Sequence, residues 1–262
     1  MEVERMKWLL SLIVAGCGFI GGPASAEKTG EPPLIRYTEK DLPDSMSGSE
    51  RNARAFREKD AVVKKLFADA EVEFPPRQLL LRGFKAERHL EVWAASEREG
   101  ALTHVATYEI CYASGDAGPK RRQGDAQVPE GFYHLDYFNR HSQFHLSFRV
   151  NYPNKSDKAL GYKPNLGSAI MIHGNCVSLG CLAMSDERIE ELWVMTRTMN
   201  KLKRKVYVHL FPTRDMEGLL EQEPNSEHAA FWRNIKEGYD WFEGKKTLPS
   251  VRVDRKGRYS FH

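Results

Sequence analysis

The chain has 262 residues, 41% of them hydrophobic, with a formal net charge of +3. That size suits one domain with decorations, or a domain with a small companion, and leaves enough chain to bury a single sizeable core. The mild positive charge, with no long Lys/Arg stripe, gives no support to a nucleic-acid partner.

The first 26 residues read as a leader rather than fold. Arg5 and Lys7 precede an apolar stretch from Trp8 to Ile20, and Ala24-Ser25-Ala26 supplies a small-x-small cleavage site. This is the pattern of a secretory signal peptide, which implies an exported protein. Val14-Ala15-Gly16-Cys17 offers a second reading, a lipoprotein signal acylated at Cys17; cleavage after Ala26 is preferred because the apolar stretch continues past the cysteine. No later segment is long and apolar enough to span a membrane. With Cys17 removed, the odd set Cys111, Cys176 and Cys181 remains, so an oxidising compartment leaves at least one thiol outside an intramolecular pair. A Cys111–Cys176 disulfide with Cys181 free is one arrangement.

Residues 27–50 are rich in Pro, Gly, Ser and charge and read as a linker. Residues 50–70 carry Phe56, Val63, Phe67 and Ala70 at helical spacing, and Pro75-Pro76 ends that segment. Short strands follow at Gln78–Arg82, His89–Ala94 and Thr103–Tyr112, then a polar, basic loop at Gly115–Gly124 and a strand at Phe132–Tyr137. In Phe144–Tyr152 every second residue is apolar, which predicts a strand with one buried face. Residues 151–167 read as loop, and Ala169–Ile172 as a short strand that delivers His173. Ser185 is placed to cap a helix with Asp186 and Glu187 in its first turn. Lys205–Phe211 alternates as a strand, 226–242 is helical, and 250–261 is a last strand or hairpin. The class is α+β, with a β core and peripheral helices.

One run concentrates the chemistry: Ile172-His173-Gly174-Asn175-Cys176-Val177-Ser178-Leu179-Gly180-Cys181. A thiol becomes a nucleophile when an imidazole takes its proton. A glycine before the cysteine allows close backbone approach and an N–H for a developing oxyanion. A Cys₃His zinc set of Cys111, Cys176, Cys181 and His173 competes, but it lacks a tight C-x₂-C pair.

Taken together, Ile-His-Gly…Ser-x-Gly-Cys resembles the active-site motif of the L,D-transpeptidase catalytic domain, the YkuD family. Gly124-Asp125-Ala126-Gln127-Val128-Pro129-Glu130-Gly131-Phe132-Tyr133 is similar to that family's G-D-x-x-T-P-x-G-x-F/Y segment. Ile110-Cys111, Ser114-Gly115, Gly118-Pro119-Lys120, Tyr152-Pro153-Asn154, Cys176 and Gly238-Tyr239-Asp240-Trp241-Phe242 point to its YafK-like branch. The chain departs from many members at Leu179, where a second histidine often stands.

The residues thus divide the chain into a signal peptide at 1–26 and a linker and N-terminal helix at 27–74, and the resemblance, which covers roughly residues 75–260, implies an L,D-transpeptidase-like catalytic domain at 75–262, with mixed sheets packed as a sandwich. It implies Cys181 as nucleophile and His173 as general base, oriented by a backbone carbonyl near Gly174. Gly180, with Cys181, supplies oxyanion donors, and Ser178 braces the loop or contacts substrate. Neither a metal nor a cofactor is called for. The substrate it implies is a peptidoglycan stem peptide in a Gram-negative periplasm or envelope. A thioacyl-enzyme forms and passes to an amine or to water, including cleavage of a meso-diaminopimelate link to an envelope lipoprotein. Hydrolytic trimming is the preferred direction. The other class to keep is a catalytically silent wall-binding or adaptor protein on the same fold. Lys120, Arg121 and Arg122 are read as a solvated basic loop, with pairing to substrate carboxylates as the alternative; Tyr133, Phe144 and Phe148 are read as core, and His134, His141 and His145 as surface or core groups.

Overall fold

The computed structural model describes residues 46–262, Ser168 excepted, together with a two-residue strand, β1 (Leu34–Ile35). The leader, Cys17 and most of the linker lie outside the described residues. The first helix, α1 (Gly48–Asp69), starts at a capping box: the Ser47 hydroxyl accepts from Glu50 N, and the Glu50 carboxylate accepts from Ser47 N. Its Ala55, Val63 and Phe67 are buried, as helical spacing requires.

The strands β2 (Gln78–Phe84), β3 (His89–Ala95), β4 (Thr103–Glu109), β5 (Tyr112–Ala113), β6 (Gly131–Asn139), β7 (Ser147–Val150), β8 (Met171–His173), β9 (Leu182–Ala183) and β10 (Val206–Phe211) join one ladder. Its order is β1-β4-β3-β2-β10-β6-β7-β8-β9-β5. The β1–β4, β2–β10 and β8–β9 pairs are parallel and the others antiparallel. The ladder curls, so that both of its halves share one apolar core, with Leu79, Leu81 and Val92 from one and Phe148, Ile172 and Leu182 from the other. This is the β-rich sandwich that the resemblance implies.

The helix α3 (Asp186–Lys201) closes that core with Ile189, Leu192, Trp193 and Met199, and Ser185 caps it through Arg188 N. It lies against α1, where the Trp193 indole donates to Asn52 Oδ1 at 3.0 Å. A second apolar cluster, including Phe84, Phe132, Phe211 and Trp232, gathers α4 (Met216–Gln222), α5 (Ala229–Lys245) and the hairpin of β11 (Val251–Val253) and β12 (Tyr259–Phe261).

Three expectations change. The segment 151–167 holds a short helix, α2 (Lys155–Leu160). Asn154 and Asp157 form its capping box, but six residues with little apolar content leave no periodic signal. The strand expected over Thr103–Tyr112 is two strands, because β5 leaves β4 and pairs with β9 at the far end of the ladder. The strand expected from Phe144 starts at Ser147: His145 has a φ of +62°, which extended chain cannot accommodate, and Phe144 is 39% exposed rather than buried. Among the described residues no helix is long and apolar enough to cross a membrane.

Candidate active site

β8 and β9 set the positions of His173 and Cys181. Ile172 pairs with Leu182 and His173 with Ala183, and both Ile172 and Leu182 point into the core. Side chains alternate along each strand, so His173 and Cys181 occupy the opposite, outer face. Cross-strand neighbours offset by two residues lie about 7–8 Å apart, within the reach of a histidine ring.

Since β9 runs parallel to β8, residues 174–181 must carry the chain back past β8 without a helix. Four ties hold this return. Asn175 N donates to Asp186 Oδ1 at 2.7 Å, and Cys176 is bonded to Cys111. Gly180 N donates to Ser114 Oγ at 2.7 Å, and Cys181 N to Ser178 Oγ at 3.1 Å. The Ser178 hydroxyl then donates to Cys181 O, and that of Ser114 to Ala126 O. Glycine is required twice. Gly180 has a φ of +84°, and a Cβ on Gly174 would lie 2.5 Å from Asp186 Oδ1 and 2.9 Å from His145 Cβ.

The disulfide takes two of the four ligands in the zinc alternative, and Cys181 is the free cysteine among the described residues. Its thiol donates to Ala169 O at 3.7 Å and accepts from Met171 N at 3.3 Å. Burial pushes this thiol above its ordinary pKa, against the Met171 N–H, the Ser178 hydroxyl and the positive charge of Lys120. His173 is 2% exposed, and its Nδ1 lies 2.6 Å from Gly174 O. A carbonyl only accepts, so Nδ1 carries the proton and Nε2 presents the lone pair. Burial holds the imidazole below its ordinary pKa, although the Gly174 carbonyl and the Asp186 carboxylate favour its protonation.

Several surrounding residues depart from expectation. Phe144 is not core; its ring lies on the His173 imidazole, with centroids 4.8 Å apart. Tyr133 and Phe148 are buried as expected. Lys120 belongs to no solvated loop: it is 5% exposed and pairs with Asp125 at 2.6 Å, while Asp125 also receives the N–H groups of Arg121, Arg122 and Gln127. Arg121 lies over the Phe231 ring and faces Asp157 at 3.8 Å. His145 is buried against Glu190 at 3.0 Å, and His134 and His141 lie away from both site residues along β6 and the loop that follows it. Leu179 is 83% exposed and offers no second base. Met171, Asp186 and Ser114 went unassigned from sequence. Ser114 has one signal, its Ser-Gly pair upstream; Met171 acts through its backbone N–H, and Asp186 through a carboxylate that the sequence marks only as part of a helix's first turn.

A strand-borne imidazole and a cysteine at the end of a pinned return thus share one sheet face, an arrangement that can bring a base to a thiol. The family model for the L,D-transpeptidase catalytic domain, YkuD, matches residues 85–209. Over 179 residues the chain is 36% identical to YafK of Escherichia coli K12, which carries a provisional L,D-transpeptidase name, covering 67% of this chain and 70% of that one. Among solved structures, the helical cell shape determining protein Pgp2 from Campylobacter jejuni matches with a TM-score of 0.43 at 18% identity, over 77% of this chain and 81% of that one. Bd1075 from Bdellovibrio bacteriovorus matches with a TM-score of 0.36 at 16% identity, over 68% and 75%. The chain belongs to the L,D-transpeptidase catalytic domain family, in its YafK-like branch.

Proposed function

We propose that this protein is an exported cysteine enzyme of the Gram-negative envelope that acts on peptidoglycan stem peptides through a thioacyl intermediate on Cys181. The observation that carries this reading is the β8–β9 register, which sets His173 and Cys181 on one face, together with the Nδ1 bond to Gly174 O that leaves Nε2 as base.

In the first half-reaction Cys181 Sγ attacks the amide carbon while its proton passes to His173 Nε2. The tetrahedral oxyanion is received by the N–H groups of Gly180 and Cys181. At rest these are held by the Ser114 and Ser178 hydroxyls, which then share them with the substrate oxygen. His173 returns the proton to the departing amine. In the second half, His173 takes a proton from water or from an amine acceptor as this attacks the thioester carbon, and passes it to Sγ as the C–S bond breaks. Water gives hydrolysis, including release of a lipoprotein from meso-diaminopimelate, and an amine gives transfer; the branch motifs in the sequence favour hydrolysis, while the name of the relative is that of a transpeptidase.

Defined muropeptides, with and without an amine acceptor, read by mass spectrometry, test this. Wild type should give a trimmed or transferred product. Cys181→Ala should give none while keeping the wild-type melting curve, and His173→Ala should lose about 10²–10⁴-fold in rate. Unchanged product from Cys181→Ala would sink the Cys181 nucleophile, and no product from wild type would leave the silent adaptor.

A further inference from the structure

We propose that a cationic groove on the same sheet face as Cys181 binds the free carboxylates of the peptide acyl donor. The proposal rests on the reading of Cys181 as the acylated residue and adds the donor-binding surface to it.

The groove is continuous with the site through the sheet. Arg149 pairs with Met171 across β7 and β8. Cys181 stands opposite Met171, one step before the Ile172–Leu182 pair, and the Met171 N–H meets its Sγ at 3.3 Å. Residues paired in this way share a face, so Arg149, Met171 and Cys181 form one row. With strands about 4.8 Å apart, the row spans roughly 10 Å. A groove of about 1100 Å³ begins at Arg149 and runs over β6 and β10 to the β11–β12 hairpin.

Its charge is one-sided. Arg149, Lys155, Lys158, Lys205 and Arg252 line it, against the single carboxylate of Asp136. The whole chain carries 39 basic and 36 acidic residues, so this excess reflects placement and not composition. Arg149 takes Asp136, at 2.8 Å and 3.2 Å. The other four form no ion pair among the described residues. Lys120 and Arg121, by contrast, are committed to Asp125 and Asp157. The lining also holds His209, 2% exposed, whose Nδ1 has no hydrogen-bond partner among the described residues. A buried polar atom without a partner is costly, and a ligand group that supplies one lowers that cost.

Length decides which carboxylates fit. An extended chain advances about 3.3 Å per residue, so about three residues reach from Cys181 to Arg149. Carboxylates within a few residues of the scissile amide meet Arg149, and those farther along meet Lys205 and Arg252.

The test compares a cross-linked stem-peptide dimer, long enough to extend past Arg149 to Lys205 and bearing free side carboxylates, with the same dimer amidated at those groups. Two charge-reversal variants are used, Lys205→Glu/Arg252→Glu and Lys155→Glu/Lys158→Glu, all at exposed positions. In each variant KM for the free-carboxylate donor should rise about tenfold, with kcat within about twofold and the amidated donor unaffected. Added salt should raise the wild-type KM for the free donor alone. An unchanged KM, or an equal rise for both donors, overturns the proposal. So does loss of binding to phosphatidylglycerol vesicles with donor KM unchanged, which would assign the groove to a membrane. If wild type turns over neither donor, calorimetric titration with the free-carboxylate peptide still decides. Binding lost on charge reversal sustains the groove while the Cys181 reading falls, and equal binding sinks the groove.

Discussion

At His173 and Cys181 burial opposes charge on both partners: it lowers the imidazole and raises the thiol. Local bonds and charges work the other way without reversing either shift, so the resting pair is neutral imidazole and neutral thiol rather than a preformed ion pair. The thiol bond to Ala169 O fits that state. Under the proposed mechanism, activity then needs Nε2 unprotonated. As pH falls, protonation of His173 removes the base, so kcat/KM should drop on an acid limb lying below the ordinary histidine value of 6.5. The thiol should ionise above its ordinary 9.0, and alkylation of Cys181 should keep accelerating past that point. Phe144 covers the imidazole, so Phe144→Ala should hydrate the ring and move the acid limb up towards 6.5. An NMR titration of His173 in both proteins measures this; coincident curves would remove Phe144 from the explanation.

The return from β8 to β9 is where element-scale forces meet. Its two ends belong to strands fixed by the core, yet residues 174–181 have no ladder of their own. The Cys111–Cys176 bond and the Ser114 hydroxyl both tie this return to the chain around β5. The disulfide spans a sequence separation of 65, and closing such a loop in the unfolded chain is worth up to about 4 kcal/mol. Cys111→Ser/Cys176→Ser should therefore lower the urea midpoint, with a loss of about 2–4 kcal/mol. It should also lower kcat, because Gly180 and Cys181 would lose one of their anchors. Full kcat at the lowered midpoint would show that the Ser114 and Ser178 bonds are sufficient. Local patterns make much of this region legible in the sequence: a short apolar run marks β8, alternation marks β10, Ser185 marks the start of α3, and the His-Gly and Gly-Cys pairs mark the site. What stayed hidden depends on distant partners. Nothing near Ser114 shows that its hydroxyl will receive Gly180 N, and alternation through Phe144 gives no warning of the left-handed turn at His145.

Across the whole molecule the curled sheet separates two tasks. One face makes the apolar core with α1 and α3; the other carries His173, Cys181 and the groove. The groove is illegible in sequence because its cations come from β7, α2, the residue before β10, and β11, which only the tertiary fold brings together. Beneath it His209 has a consequence for stability. Burial, with the nearby Arg82 cation, depresses its pKa from 6.5 to about 3. Between those values the unfolded chain binds a proton that the folded chain refuses, so stability rises with pH across this window. The contribution is fully present above 6.5 and is lost progressively as pH falls towards 3, by about 1.4 kcal/mol per pH unit at most. Other groups titrate in the same range, so the useful quantity is a difference. His209 packs edge-on against Phe132 and Phe211, which makes His209→Phe a fair replacement in shape. Urea unfolding of both proteins near pH 7 and again near pH 4.5 cancels the shared groups. On acidification the wild type should lose about 2 kcal/mol relative to the variant. Parallel losses in the two proteins would mean that His209 takes up its proton without unfolding, and that the groove floor admits water.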